Sequence, residues 1–92
     1  MFYERIKELR LSQNLNQIQF GKKINVSKQC VSNWENAYIQ PSIDIVIRIC
    51  RTFHVSSDYL LGLDDRIILD VTGLNNSETA HIQAIIDDLI NK

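Results

Sequence analysis

The segment after Ser27 carries short polar side chains at helical spacing. Its inward positions are Val31 and Trp34, with Cys30 at their edge. The hydrogen-bonding side chains gather on the opposite face, at Lys28, Gln29, Ser32 and Asn33. Lysine can donate to guanine acceptors, glutamine and asparagine can pair in bidentate fashion with adenine, and serine permits close approach. A polar helix face is ordinarily just solvated, so this pattern alone leaves DNA reading and plain solvation both open.

A helix that reads DNA in the major groove must be short, and a second helix must support it from behind. Asn16 and Gln19 have the spacing of a capping box, which predicts a short helix from Gln17 to about Ile24. Gly21 lies in the middle of this helix, where glycine costs helix propensity. We therefore expect Gly21 at the point where the backbones of the two helices cross.

The connection between these two helices is a tight turn. Asn25 is a residue type that can adopt the left-handed conformation that such a turn requires. Ser27 is a favoured N-cap, so the next helix is predicted to begin at Lys28. At this spacing Trp34 is interpreted as a core residue rather than a base-stacking one.

Three further helices complete the predicted core. The first runs from Phe2 to about Gln13, another is capped by Ser42, and a short one is capped by Ser56 and ends near Gly62, where a left-handed residue is favoured. The helix after Ser42 is predicted to face the core with a broad apolar stripe: Ile43, Val46, Ile47, Ile49, Cys50 and Phe53. Residues 64–73 are expected to form a linker or an extended arm, with a helical turn within them as the alternative, and their conformation is left open.

The last predicted helix begins with a second capping box, formed by Asn75 and Glu78. Its apolar residues repeat as a clean helical stripe: Ile82, Ile85, Ile86, Leu89 and Ile90. Burial of one such side chain stabilises by roughly 1.5–3 kcal/mol. The stripe therefore predicts a partner surface, and we expect a homodimer that associates through this helix.

The order of several residues resembles the helix-turn-helix of the Cro and phage-repressor class, the xenobiotic-response-element family of bacterial and phage regulators. The residues that carry the resemblance are Gln17, Gly21, Asn25, Val26, Val31 and Trp34, with Leu15-Asn16-Gln17, Trp34-Glu35-Asn36, Pro41 and Asp58 to Gly62 as further matches. The resemblance covers Ile6 to Leu63. It departs from the family at Asn25, where glycine is usual, although asparagine is the best substitute at positive φ.

The resemblance implies an all-α fold. Residues 1–63 would form a five-helix lambda-repressor-like helix-turn-helix domain, residues 64–73 a linker or arm, and residues 74–92 a C-terminal amphipathic dimerisation helix. It maps base reading onto Lys28, Gln29, Ser32 and Asn33, and contacts with the DNA backbone onto Gln17, Ser27 and Asn36. It also implies an internal ion pair between Arg10 and Glu35.

The charge distribution favours binding of nucleic acid by the first part of the chain. The whole chain of 92 residues has a net charge of -1, but residues 1–60 carry eight Lys or Arg against five Asp or Glu, and residues 61–92 carry two against six. A net charge of +3 in the first part and -4 in the second places the basic surface where a phosphate backbone would bind.

Other classes of protein are disfavoured by the sequence. No stretch is apolar enough to cross a membrane, and the N-terminus lacks a secretory signal pattern, so we expect a cytoplasmic protein. Cys30 and Cys50 lie within apolar-periodic segments, where a reduced cysteine behaves as a small hydrophobe, and we expect free thiols. With His54 and His81 they supply ligand types for zinc but no paired ligand spacing. We expect no enzyme activity, metal, cofactor or small-molecule ligand.

These observations lead to one functional hypothesis and one alternative. The hypothesis is a sequence-specific transcriptional regulator, by default a repressor, that binds a near-palindromic operator in double-stranded DNA as a homodimer. The alternative is a protein-interaction module of the same fold, for example an antitoxin, in which DNA binding is secondary, since fold alone does not settle function. A pure interaction module has no need for Lys28, Gln29 and Asn33 together on an exposed face.

Overall fold

A computed structural model describes residues 2–91 of the chain, and this part is all-helical. It contains six helices, which are α1 (Phe2–Ser12), α2 (Gln17–Ile24), α3 (Lys28–Glu35), α4 (Ile43–Phe53), α5 (Ser57–Leu60) and α6 (Asn76–Ile90). No extended strand is present between residues 2 and 91. The predicted all-α class is confirmed.

Side-chain caps begin the helices where local sequence predicts them. The Asn16 carboxamide oxygen accepts from the backbone N–H of Gln19 at 2.8 Å, and the Gln19 side chain accepts from the Asn16 N–H at 2.9 Å. Asn75 and Glu78 form the same reciprocal pair at α6. The remaining caps are the hydroxyls of Ser27, Ser42 and Ser56. Each cap satisfies a first-turn N–H that has no partner within its helix.

Left-handed residues end several of these helices. Asn25 has φ 60° and ψ 47°, as the turn between α2 and α3 requires, and its N–H points back to carbonyls of α2. Gly62 has φ 77°, which confirms the expected stop after α5. His54 ends α4 in the same region of backbone space, with φ 55°.

The core lies entirely between Ile6 and Leu60. Its buried apolar side chains are Ile6, Leu9, Phe20, Ile24, Val31, Trp34, Ile49, Phe53, Tyr59 and Leu60. Phe20 and Phe53 stack with ring centroids 4.9 Å apart, which joins α2 to α4. Trp34 is 5% exposed, so its interpretation as a core residue is confirmed.

Part of the apolar stripe predicted for α4 does not face the core. Ile43 is 79% exposed and Ile47 is 43% exposed, whereas Ile45, outside the predicted stripe, packs against the core. Ile45 is two positions along the chain from each of them, a rotation of about 200° around the helix. The prediction was wrong at Ile43 and Ile47 because the core takes up a narrower face of α4 than its apolar residues occupy.

Cys30 also departs from its predicted environment. It is exposed, whereas Cys50 packs against the core, and both are free thiols. Cys30 precedes Val31 by one residue, a rotation of about 100°, and this is enough to carry it past the narrow face that α3 buries. The expectation of a small hydrophobe is therefore met by Cys50 and not by Cys30.

The chain between α5 and α6 lies along the helical core. Leu69 and Val55 form an isolated antiparallel bridge, and the N–H of Asp70 donates to the carbonyl of His54 at 3.2 Å. Closer to α5, Arg5 of α1 pairs with Asp65 at 2.6 Å. This segment therefore begins tied to α1 and later contacts the end of α4.

Helices α2 and α3 cross closely at Gly21. A Cβ atom added to Gly21 would lie 2.6 Å from the carbonyl oxygen of Val26, which is backbone that belongs to the inter-helix turn. Val26 in turn donates its N–H to the Gly21 carbonyl at 2.8 Å. The glycine is therefore required by the crossing, as its place in the sequence predicts.

Replacement of Gly21 by alanine is expected to destabilise the protein by about 1–3 kcal/mol, since the new methyl group would push against backbone. In an ordinary helix the same change stabilises by roughly 0.5–1 kcal/mol, so the sign of the effect is diagnostic. Urea unfolding followed by circular dichroism measures it. Lys22→Ala, at an exposed neighbour, is the matched control and should stay within about 0.5 kcal/mol. A Gly21→Ala protein at least as stable as the parent would contradict the close crossing.

Candidate nucleic-acid interface

The outer face of α3 carries the residues predicted to read DNA. Lys28 and Gln29 are exposed in its first turn, and Ser32 and Asn33 are half-buried one turn later. The opposite face is anchored by Val31, which is fully buried. The structure therefore places these polar side chains together on a helix that is held from behind.

Two side-chain hydrogen bonds run along this face. Gln29 donates from Nε2 to Oδ1 of Asn33 at 2.9 Å. Asn36 donates from Nδ2 to the Ser32 hydroxyl at 3.3 Å. Both pairs have i,i+4 spacing, which brings side chains together on one helix face. Each of the two amides therefore has a hydrogen-bond partner on its own helix face.

An ion pair fastens the end of α3 to α1. Arg10 donates to the Glu35 carboxylate through Nε at 2.7 Å and through Nη2 at 3.0 Å, and it also donates to the Leu15 carbonyl. The side chains are only 11% and 4% exposed, and the hydrogen bond to Glu35 raises the pKa of Arg10. This bidentate geometry is the strong form of such a pair. The predicted ion pair is confirmed.

Gln17 joins the same network from the first turn of α2. Its Nε2 donates to Oε1 of Glu35 at 3.3 Å, which brings the start of α2 beside the end of α3, next to Asn36. The N-terminal turn of a helix has free N–H groups and a partial positive charge that suit a phosphate. Gln17 therefore lies against Glu35, the residue that precedes Asn36.

Ser27 lies at the other end of α3. Its hydroxyl accepts from the N–H of Cys30 at 3.2 Å and donates to the Cys30 sulfur at 3.4 Å. Eight residues of α-helix are about 12 Å long, so Ser27 is separated from the Gln17 and Asn36 pair by the length of α3. The three residues predicted to contact the backbone thus flank the polar face at both ends.

One contact that supports the site was missed by sequence reasoning. Arg48 of α4 donates from Nη1 to the Ile24 carbonyl at 2.8 Å and so satisfies an acceptor in the last turn of α2. The two residues are far apart in the chain, and no local pattern pairs them. Arg48 is one of several polar residues on α4, with Asp44 and Arg51, so the sequence does not single it out.

The described residues contain neither a metal-holding cluster nor a membrane-spanning helix. Within residues 2–91, no group of three or more His, Cys, Asp and Glu side chains is arranged to hold a metal ion. In the same range, no helix has the length and apolar character to span a membrane. Burial raises the pKa of the Cys50 thiol, which keeps it protonated.

Comparisons with known proteins match this geometry. A family model described as helix-turn-helix covers residues 6–60. The HTH-type transcriptional regulator ImmR of Bacillus subtilis is 31% identical over 86 residues, which are 92% of this chain and 68% of ImmR. The chain spans smaller shares of other curated relatives, from 58% down to 28%.

Solved structures of other proteins share the fold. The P22 c2 repressor, crystallised in complex with a synthetic operator, has a TM-score of 0.65 and 30% identity over 70% of this chain and 97% of its own. A transcriptional regulator from Listeria innocua has a TM-score of 0.64 and 23% identity over 97% of this chain and 92% of its own, and at that identity it shows the fold alone.

The family match includes the whole of α2 and α3, together with the Arg10 and Glu35 pair that fastens them. The resemblance inferred from the sequence is therefore confirmed. The chain belongs to the helix-turn-helix family of the Cro and phage-repressor type, a family of transcriptional regulators.

Proposed function

We propose that the chain is a sequence-specific transcriptional regulator, a repressor that binds a near-palindromic operator in double-stranded DNA as a homodimer. The observation that carries the proposal is the exposed polar face of α3, braced from behind by Val31 and Trp34. A helix so supported fits the major groove, where each base pair presents its own pattern of donors and acceptors. The P22 c2 repressor, which shares the fold, binds an operator in its crystal structure.

Base reading is assigned to Lys28, Gln29, Ser32 and Asn33. Contacts with phosphates are assigned to Gln17, Ser27 and Asn36, which flank that face and would fix the orientation of α3 in the groove. Phosphate contacts position a protein on DNA, whereas contacts with base edges specify the sequence. Loss of a base-reading residue should therefore change sequence preference, whereas loss of a phosphate contact should lower affinity for every DNA sequence.

The exposed stripe of α6 supports the homodimer. None of the α6 residues is buried, and the apolar side chains of the stripe range from 37% exposed at Ile82 to 74% exposed at Ile90. An apolar stripe of this kind is stabilised by a partner that covers it. A second copy is the occupant we propose, because a single α3 reads one half-site and two-fold symmetric operators need two, about 34–36 Å apart.

A gel-shift assay with the full chain tests the proposal against the protein-interaction alternative. The probes are genomic fragments from upstream of the chain's own coding sequence, with unrelated DNA of equal length as competitor. Retarded fragments that survive the competitor are the expected result. If specific and unrelated DNA compete equally, the chain is better described as a protein-interaction module whose partner binds α6.

Loss of a base-reading side chain should reduce specificity, and loss of a phosphate contact should not. Gln29→Ala is expected to weaken operator binding by about 1–3 kcal/mol and to relax one operator position. Gln17→Ala should weaken binding to operator and random DNA alike. Affinity measurements on both DNAs by fluorescence anisotropy test this, with the exposed Gln83→Ala on α6 as a matched control. Equal losses on both DNAs for Gln29→Ala would remove it from base reading.

A positive charge within the stripe of α6 should separate the two copies. The double variant Ile86→Lys and Leu89→Lys is expected to be a folded monomer that binds the operator weakly, because one α3 lacks its second half-site. Lysine adds no repulsion toward DNA, so a loss of affinity is attributable to the loss of the dimer. Sedimentation velocity and circular dichroism measure assembly and folding.

Ala84→Lys is the control for that experiment, because Ala84 is exposed and lies about 160° around α6 from Ile86, outside the stripe. It adds a lysine to the same helix and should leave the dimer intact. If the double variant remained dimeric, the interface between the copies would have to lie outside α6.

A further inference from the structure

The hydrogen bond between Gln29 and Asn33 determines which groups each amide can offer to DNA. A free carboxamide presents two N–H donors and one carbonyl oxygen. Here Gln29 uses one N–H of Nε2 to reach Oδ1 of Asn33 at 2.9 Å. Gln29 therefore keeps one N–H donor and its oxygen.

The same bond orients the Asn33 amide. The oxygen and nitrogen of a planar carboxamide point in different directions from its trigonal carbon atom. With Oδ1 turned toward Gln29, the NH₂ group of Asn33 is the part that faces away from Gln29. Asn33 is also half-buried whereas Gln29 is exposed, which restricts its freedom to turn. Asn33 is thereby held as a donor.

These remaining groups match different base edges in the major groove. Adenine offers the N7 acceptor and the N6 donor, which complement one N–H and one carbonyl oxygen. Guanine offers the acceptors N7 and O6, and thymine offers the acceptor O4, which complement an NH₂ group. Residues 29 and 33 lie about 6 Å apart along the helix axis. Stacked bases are about 3.4 Å apart, so the two amides reach over fewer than two base-pair steps.

We infer that Gln29 and Asn33 act as one composite reader, which selects adenine through Gln29 and, within two steps, an acceptor-bearing guanine or thymine through Asn33. The inference rests on the proposed function and adds the operator chemistry to it. Asn33 has two roles here, since it contacts a base and also orients the Gln29 amide. Without that bond, the Gln29 amide can rotate and offer its donor and acceptor in either order.

Selection from a random double-stranded DNA library, with the full chain and its variants, tests this inference. Gln29→Ala locates the operator position that Gln29 reads, and adenine is expected there for the parent protein. Asn33→Ala is expected to relax that adenine position as well as its own. Circular dichroism of each variant establishes that it folds, and Gln83→Ala serves as the control that should change neither position.

Asn33→Asp gives the sharpest result, because a carboxylate still accepts from Gln29 but can no longer donate. The adenine position is expected to persist, and the position read by residue 33 should change from guanine or thymine to cytosine, whose N4 amine donates to carboxylates. The altered preference is read from base frequencies, so a uniform loss of affinity through repulsion from phosphates does not obscure it.

Binding of the selected operator supplies a second, quantitative readout. Gln29→Ala and Asn33→Ala are each expected to lower affinity roughly 5- to 150-fold. The double variant should lose less than the product of the two effects, by about 2- to 12-fold, since the bond between them can be lost only once.

The outcomes separate the inference from the proposed function. If the parent protein enriches no sequence, the proposed function is wrong and the inference falls with it. If it enriches an operator but Asn33→Ala leaves the Gln29 position unchanged, or Asn33→Asp leaves the residue 33 position at guanine or thymine, only the composite reader is overturned. The composite reader would also be overturned if the double variant lost affinity by the full product of the two single losses.

Discussion

The close crossing of α2 and α3 is the constraint on which the rest of the structure depends. It is possible because Gly21 has no side chain where Val26 presents its carbonyl oxygen, 2.6 Å from the position a Cβ atom would take. With the backbones this close, Phe20, Ile24 and Val31 are completely buried. The polar face of α3 is then carried on a rigid support, and the Arg10 and Glu35 ion pair holds its far end.

Features set by neighbouring residues could be predicted from the sequence. The capping boxes at Asn16 and Asn75, and the serine caps of α3, α4 and α5, depend on chemistry within four residues of one another. The burial of Val31 and Trp34 followed from helical spacing alone. The turn at Asn25 was predictable because few residue types other than glycine tolerate positive φ.

Features set by distant packing could not be predicted in this way. Whether Ile43 or Ile45 is buried depends on how much of α4 its neighbours cover, and α4 has more apolar residues than the core takes up. The bond from Arg48 to the Ile24 carbonyl joins residues of different helices. The bridge between Val55 and Leu69 likewise needs the path of the chain after α5 to be known. The orientation of the Gln29 amide is an intermediate case. The sequence shows that Asn33 lies at i,i+4 spacing, but it does not show which of the two amides donates.

The confinement of the core to residues between Ile6 and Leu60 makes the remainder of the chain exchangeable. The family match ends at residue 60 too, so the shared part and the buried part have the same C-terminal limit. Insertions or replacements beyond that limit remove no core side chain. Related genes can therefore differ in the segment after residue 60, and so in assembly or control, while the helix-turn-helix domain is retained.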